Sequence, residues 1–200
     1  MEKILNKIYE GKIYVPKYNY EFKYSETHSI LDLTYGEVTK EGINMIVDGL
    51  KKLGLFEKVH FLDIGSGNGR SVLHMGLYDN VISSNGIELL KSKVDYGIIK
   101  MKECDYPFKH KINFVADSWD NFQKIENLNK INLVIFNNIC SSKTPPVELL
   151  TKLNKGTILV TVFGINNYKS IGFEVMDGIK SNYSWSPTHN MDTKVYKKIR

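Results

Sequence analysis

The eight residues Asp63-Ile64-Gly65-Ser66-Gly67-Asn68-Gly69-Arg70 limit what this chain can become more than any others. An apolar run, Val59 to Ile64, precedes them, and a stretch with helical spacing, Ser71 to Tyr78, follows. Alternating glycines at such a junction let the backbone turn sharply and come close to a ligand. Backbone N–H groups at the start of the helix then face that ligand. The spacing separates one ligand class from another. A dinucleotide fingerprint, G-x-G-x-x-G, requires glycine at position 70, where this chain has Arg70, and a P-loop requires a Gly-Lys-Ser/Thr run that is absent.

The rest of the chain fits the same architecture. Five short runs read as strands: Val59 to Ile64, Val81 to Glu88, Ile112 to Ala116, Ile131 to Phe136 and Gly156 to Phe163. Most are nearly continuous in apolar residues, as in strands buried on both faces of a parallel sheet. Helical patterns fill the gaps: Ile43, Ile46, Val47, Leu50 and Leu53 before the first strand, then Ser71 to Tyr78, Leu89 to Lys109 and Pro146 to Leu153. Strands alternating with helices predict βαβ units, hence an α/β fold with a doubly wound, mostly parallel, seven-stranded Rossmann-like sheet. Phe173 to Ile179, Tyr183 to Trp185 and Val195 to Ile199 read as short strands closing the sheet as an antiparallel hairpin. A short amphipathic helix with Ile4, Leu5 and Ile8 leads into a Lys/Tyr-rich arm up to residue 34, and the body of the domain runs from 35 to 200.

Two hundred residues suit one domain. No apolar run approaches the ~20 residues of a membrane span, and no long apolar leader opens the chain. Cys104 and Cys140 lie far apart without a CxxC pair, so they read as reduced thiols and not as a zinc site. The five histidines show no metal-ligand spacing, so no metal is expected. The net charge is +5, carried almost wholly by lysine, since Arg70 and Arg200 are the only arginines. That balance permits a polyanionic partner without requiring one.

Two further acids belong with the glycine loop. Glu88 ends the second strand, near the distance of about 20 residues at which an acid meets ribose hydroxyls in such folds. Asp117 ends the third strand, where a carboxylate can accept from an adenine amino group. With Asp63, all three fall at the carboxyl ends of neighbouring strands, the ligand-binding face of open α/β sheets. The form D-x-G-x-G-x-G resembles motif one of class I methyltransferases, which bind S-adenosyl-L-methionine.

Three more segments carry a narrower resemblance: Tyr35-Gly36-Glu37 upstream of the loop, Asn137-Asn138 after the fourth strand, and Ser184-Trp185 with Tyr196 beyond it. In this order they resemble the disruptor-of-telomeric-silencing (non-SET) histone lysine methyltransferases, over roughly Thr34 to Ile199. The resemblance implies that Tyr35, Gly36 and Glu37 form a loop over the methionine part of the cofactor, with Glu37 on its amino group. It places Asp63, Gly65, Ser66, Gly67, Asn68 and Arg70 on the glycine loop, Glu88 on the ribose, and Asp117 with Ser118 at the adenine. It puts Asn137 beside the transferable methyl, with Tyr35 as the second catalytic residue. Val38, Ile139, Trp185 and Tyr196 would line the lysine channel. The chain departs from the family pattern at Val38, where the family has Thr. It departs again at Ile139-Cys140-Ser141, where the family has aromatics, and at Ser118, where an aromatic normally stands.

The implied activity is methylation of a core-domain lysine of nucleosomal histone H3, or of a viral equivalent, by a monomer acting in the nucleus. For a viral chain, the host nucleus, a viral factory or the virion is the setting. Lysines of the N-terminal arm, with Lys194, Lys197, Lys198 and Arg200, would contact nucleosomal DNA. Two other readings stay open: a class I methyltransferase for another protein lysine or a small molecule, and a cofactor-binding module without catalysis. A DNA amino-methyltransferase would show an Asp/Asn-Pro-Pro-aromatic run after the fourth strand, and Asn137-Asn138-Ile139-Cys140 does not fit it.

Overall fold

The computed structural model describes residues 1–11, 36–138 and 146–200. Tyr35, Ile139, Cys140, Ser141 and the Lys/Tyr arm lie outside the described residues. The described elements run α1 (Glu2–Tyr9), α2 (Lys40–Lys52), β1 (Val59–Ile64), α3 (Arg70–Gly76), β2 (Val81–Glu88), α4 (Lys91–Glu103), β3 (Ile112–Ala116), β4 (Leu133–Phe136), α5 (Val147–Lys152), β5 (Ile158–Thr161), β6 (Phe173–Val175), β7 (Ile179–Tyr183) and β8 (Ser186–Lys198). Three short 3₁₀ turns flank β3 and precede β4.

The strand order is β3-β2-β1-β4-β5-β8-β6, so seven strands form the path, and β7 pairs with β8 as an eighth. Strands β3, β2, β1, β4 and β5 are mutually parallel, while β8 runs antiparallel to β5, β6 and β7. The order reverses between β1 and β4, which creates a crevice at their carboxyl ends. The Asp63 glycine loop leaves β1 at that point.

Apolar runs β1, β2 and β3 occur as the sequence predicts. The fourth and fifth strands are shorter than their apolar runs, because side-chain amides compete for the backbone. Asn132 accepts the His60 N–H at 2.8 Å and donates to the Lys58 carbonyl at 3.0 Å, so pairing in β4 starts at Leu133. At the far end of β5, Asn138 takes both backbone groups of Phe163 (2.9 and 3.0 Å). The long helix expected to Lys109 stops at Glu103, where Asp105 adopts φ 47° ahead of Pro107. The segment Phe173 to Ile179 splits into β6 and the start of β7. The turn of the closing hairpin falls at Tyr183 to Ser186, where a strand was expected.

Two apolar layers sandwich the sheet. One packs α2 and α3 on β1, with Ile43, Ile46, Val47, Leu50, Val72 and Tyr183 in its core. The other packs α5 on β4 and β5, with Phe136, Leu149, Leu150 and Leu159. The N-terminal helix forms as predicted: Leu5 and Ile8 bury against Leu73, Leu77 and Tyr106. Full burial of an aliphatic side chain of this size contributes ~1.5–3 kcal/mol, so α1 is anchored to α3. Cys104 is a buried free thiol in the same cluster. Among the described residues no helix is long and apolar enough to cross a membrane.

Candidate active site

The glycine loop curls against the end of β2. Gly65, Gly67 and Gly69 have φ of 73°, 53° and 73°, the left-handed region in which side chains are strained. The Gly65 and Ser66 N–H groups both donate to the Ile87 carbonyl (2.9 and 3.0 Å), and Gly69 donates to Ser66 (2.9 Å). Gly67 donates to the Glu88 carboxylate at 2.9 Å. A phosphate-binding loop leaves such donors free for its ligand. Here four of them are taken up within the protein, so the loop is not a phosphate cradle. A Cβ added at Gly65 would meet nothing within 4 Å. That open side faces a cleft lined by Gly65, Ile87, Glu88, Leu89, Asp117, Ser118 and Trp119.

Carboxylates surround the loop. Asp63 is buried (4% exposed), and its carboxyl is pushed up to about 8. Burial is the largest cause; a hydrogen bond from Ser71 pulls the other way, and Glu88 and Glu37 add to the rise. Glu88 is also buried and accepts from both Gly67 and Leu90 (3.0 Å). Glu37 is raised by burial, against the lowering effect of Arg70, whose Nη1 donates to it at 2.7 Å. Two buried acids and a third, half-buried one beside a single arginine favour a ligand that carries positive charge.

Asp117 sits at the cleft mouth. Its carboxylate accepts from the Ser118 N–H (2.8 Å), from Asn121 (2.6 Å) and from Lys124, and Lys124 and Asn121 are the main causes that hold it below the usual carboxylate range. An adenine amino group would therefore share this carboxylate with local donors. Ser118 spends its hydroxyl on the Asp120 N–H (3.3 Å) and the Asp120 carboxylate (2.9 Å).

Segments far apart in sequence close the other half of the site. The Asn137 side-chain amide donates to the Gly36 carbonyl at 2.8 Å, and its Oδ1 is buried with no hydrogen-bond partner among the described residues. Gly36 lies flat against Trp185, since a Cβ there would come 2.6 Å from the indole. Glu37 and Ser184 exchange two hydrogen bonds, N–H to Oγ (3.0 Å) and N–H to carbonyl (2.9 Å). Val38 forms a β-bridge with Tyr183, whose ring stacks on Trp185 at 4.6 Å. Thr39 then caps α2 by accepting the Gly42 N–H at 3.0 Å while donating to Asn182 at 2.9 Å. The residue that replaces the family threonine, Val38, thus sits in the core against Tyr183, and the next residue, Thr39, does the capping.

Two positions, Tyr196 and Lys198, differ from expectation. Tyr196 is not brought to this cluster. Val195 packs in the layer with Tyr183, whereas Tyr196 falls on the opposite face of the sheet, where its hydroxyl accepts the Ile165 N–H at 3.0 Å. Alternation along β8 makes the two faces mutually exclusive. Arg70 serves the loop by gripping Glu37, a partnership that spacing did not suggest. Lys198 is withdrawn from any DNA-facing surface: it is buried, and its ammonium donates to the Leu150 and Ile171 carbonyls (3.0 and 2.6 Å). Leu89 and Trp119 also line the cleft; neither is among the expected site residues, and their signals in the sequence are the adjacency of Leu89 to Glu88 and the place of Trp119 one residue beyond where the family's aromatic stands.

The sequence model described as "Histone methylation protein DOT1" matches residues 16–195. This chain belongs to the DOT1 histone methylation family. No match was found among curated protein sequences. The fold is similar to that of an RNA methyltransferase from Salinibacter ruber in complex with S-adenosyl-L-homocysteine (17% identity, TM-score 0.55, 78% of this chain and 91% of that one). It also resembles an S-adenosylmethionine-dependent methyltransferase from Thiobacillus denitrificans with the same product bound (14%, TM-score 0.52, 72% and 68%). A third likeness is to the [4+2]-cyclase SpnF (13%, TM-score 0.55, 77% and 80%). A cyclase on this fold shows that the sheet alone does not dictate methyl transfer; the family match narrows it. By family and fold the DOT1-family chain is an S-adenosylmethionine-dependent methyltransferase. Its site fits that cofactor in three ways: an open Gly65, donors unavailable to phosphate, and acids placed for a cation.

Asp63 has a folded value far above its unfolded value of about 3.9. Its contribution to stability is therefore present below the unfolded value and is lost as pH rises towards and through about 8. The free protein should melt at lower temperature at pH 8.5 than at pH 5.5, and Asp63→Asn should flatten that slope in circular-dichroism melts. An Asp63→Asn slope equal to the wild type would remove Asp63 as its source.

Proposed function

We propose that this protein transfers a methyl group from S-adenosylmethionine to a lysine of nucleosomal histone H3, or of a viral histone equivalent. The observation that carries this reading is Asn137, which ties Gly36, itself packed on Trp185, to the end of β4 and holds a buried oxygen with no hydrogen-bond partner among the described residues. The cofactor supplies an electrophilic methyl on a sulfonium. The chain supplies alignment and exclusion of water, which dominate an in-line displacement. Glu37, fixed by Arg70 and Ser184, orients the amino-acid end; Glu88 receives the ribose; Asp117 and the Gly65 cleft hold the adenine.

The nucleophile must be a neutral amine, although lysine ordinarily titrates at about 10.4. The apolar wall formed by Trp185 disfavours the ammonium, and the nearby sulfonium adds to that effect. Asn137 Oδ1 accepts an N–H of the amine and so aims its lone pair at the methyl. Water removes the proton. Lys194, Lys197, Arg200 and the lysines of the arm supply a salt-sensitive hold on nucleosomal DNA. The setting is the nucleus, or for a viral chain the compartment that holds viral chromatin.

The test is incubation with radiolabelled S-adenosylmethionine and, in parallel, reconstituted nucleosomes, free histones, DNA, RNA and cell metabolites. Label on H3 only within nucleosomes supports the proposal. Label on another protein, a nucleic acid or a metabolite rejects the substrate and keeps the methyltransferase. Cofactor binding with no label anywhere rejects catalysis.

A further inference from the structure

The short helix α1 precedes the whole methyltransferase body, yet it touches the cofactor half of the site through one arginine. Arg70 donates Nη1 to Glu37 at 2.7 Å and Nη2 to the Gly11 carbonyl at 3.3 Å, and its guanidinium lies 5.8 Å from the centroid of the Tyr9 ring. Arg70 is buried and Glu37 nearly so, with side chains 7% and 10% exposed. Tyr9 is in turn fixed from the other side. Its hydroxyl and His74 Nδ1 are 3.1 Å apart, and the two rings meet edge to face at 5.7 Å. His74 is wholly buried and stacks on Tyr78. The helix carrying Tyr9 is held by Leu5 and Ile8 in the core and by Lys40, which binds Asn6 (2.8 Å) and Glu2. Lys40 opens α2, three residues after Glu37.

We infer that α1 is a positioning element for the cofactor site, with Tyr9 and the Gly11 carbonyl presetting Arg70 so that Arg70 can hold Glu37 in its binding posture. An arginine with five donors and a long stem has many rotamers. A flat aromatic face below and a carbonyl at one end leave few of them, so less ordering remains to be done when ligand arrives. Arg70 Nε has no hydrogen-bond partner among the described residues, so the posture depends on the two Nη contacts and the ring. Tyr9 acts on the site through the guanidinium of Arg70, which lies over its ring; it is a positioning residue.

The inference rests on the cofactor reading above, so its test includes a readout that needs no cofactor. Arg70 and Arg200 are the only arginines, and protein labelled with ¹⁵N at arginine Nε gives two side-chain signals whose hydrogen exchange can be followed one by one. Tyr9→Leu keeps apolar bulk and loses the ring face; Tyr9→Phe keeps the face. Tyr9→Leu should accelerate Arg70 Nε–H exchange at least tenfold. It should also raise the KM and Kd for S-adenosylmethionine about tenfold, with kcat at saturation within about twofold of wild type. Tyr9→Phe should restore both to within about threefold. A Tyr9→Leu protein with wild-type Arg70 exchange and wild-type KM overturns the inference, as does a fall in kcat with KM unchanged. If Tyr9→Leu does not fold, the double substitution Glu2→Ala/Asn6→Ala loosens α1 at its exposed end; it should speed Arg70 exchange about threefold, and no change overturns the inference. Failure of the wild type to bind S-adenosylmethionine sinks the cofactor reading instead, while Arg70 exchange still decides the role of α1.

Discussion

Gly65→Leu should abolish cofactor binding while leaving the fold intact. The two effects separate because of where the glycine sits. A Cβ at Gly65 meets nothing within 4 Å, so a leucine there starts into open space and fills the cleft shared with Ile87, Glu88 and Trp119. The left-handed φ of 73° costs about 1–2 kcal/mol, a loss a domain of this size tolerates. Calorimetric titration with S-adenosylhomocysteine should show at least a hundredfold weaker binding, with a melting temperature only a few degrees lower. Retained affinity would place the cofactor somewhere other than the β1–β2 cleft. Gly69 makes a contrasting control: a Cβ there would lie 2.5 Å from Phe114, so Gly69→Leu should damage the fold itself.

Asn137→Ala should lower kcat by about a hundredfold. A misplacement of about 1 Å at a reacting centre is enough for an effect of that size. The substitution deletes two things at once, the Oδ1 that has no partner among the described residues and the donor to Gly36, so a second variant is needed to assign the loss. Asn137→Asp keeps the oxygen and loses the donor. If the tether to Gly36 is the important part, Asn137→Asp should weaken cofactor binding about as much as Asn137→Ala does. If orientation of the amine is the important part, Asn137→Ala should show near-normal cofactor affinity and slow single-turnover methyl transfer. An unchanged single-turnover rate in Asn137→Ala would remove Asn137 from the chemistry. The neighbouring Asn138 provides the comparison, because its amide clips the Phe163 backbone. Asn138→Ala should cost stability, by about 1–3 kcal/mol for the backbone groups left unpaired, before it costs rate.

The Asp63 titration links the two experiments. A cationic ligand draws the proton off a carboxyl that titrates near 8, so cofactor affinity should increase from pH 6.5 to pH 8.5 while the stability of the free protein decreases. Opposite slopes in one protein are a signature that a surface ion pair would not produce, since exposed pairs contribute little and are screened.

Much of the architecture was legible in the amino acids. Strands buried on both faces show as continuous apolar runs, and β1, β2 and β3 end where the run ends. The glycine triplet could be read because three positive-φ positions in a row of five favour glycine strongly over residues with a Cβ, and that requirement is local. The edges of β4 and β5 were not legible, because Asn132 and Asn138 act on backbone 72 and 25 residues away. The side of the sheet that Tyr196 faces was not legible either. A tyrosine and the valine before it are equally apolar in pattern, and only the register of β8 against β5 decides which one faces α2.

The order of elements, the glycine loop and the acids at the ends of β1 and β2 were set by patterns within a few residues of one another, where covalent geometry and burial leave little choice. The assembly of Gly36, Asn137 and Trp185 into one corner was decided only by tertiary structure. Asn137 reaches Gly36 across 101 residues and Glu37 reaches Ser184 across 147. No local preference encodes such meetings; they follow from where the sheet reverses and from how β7 lies against α2.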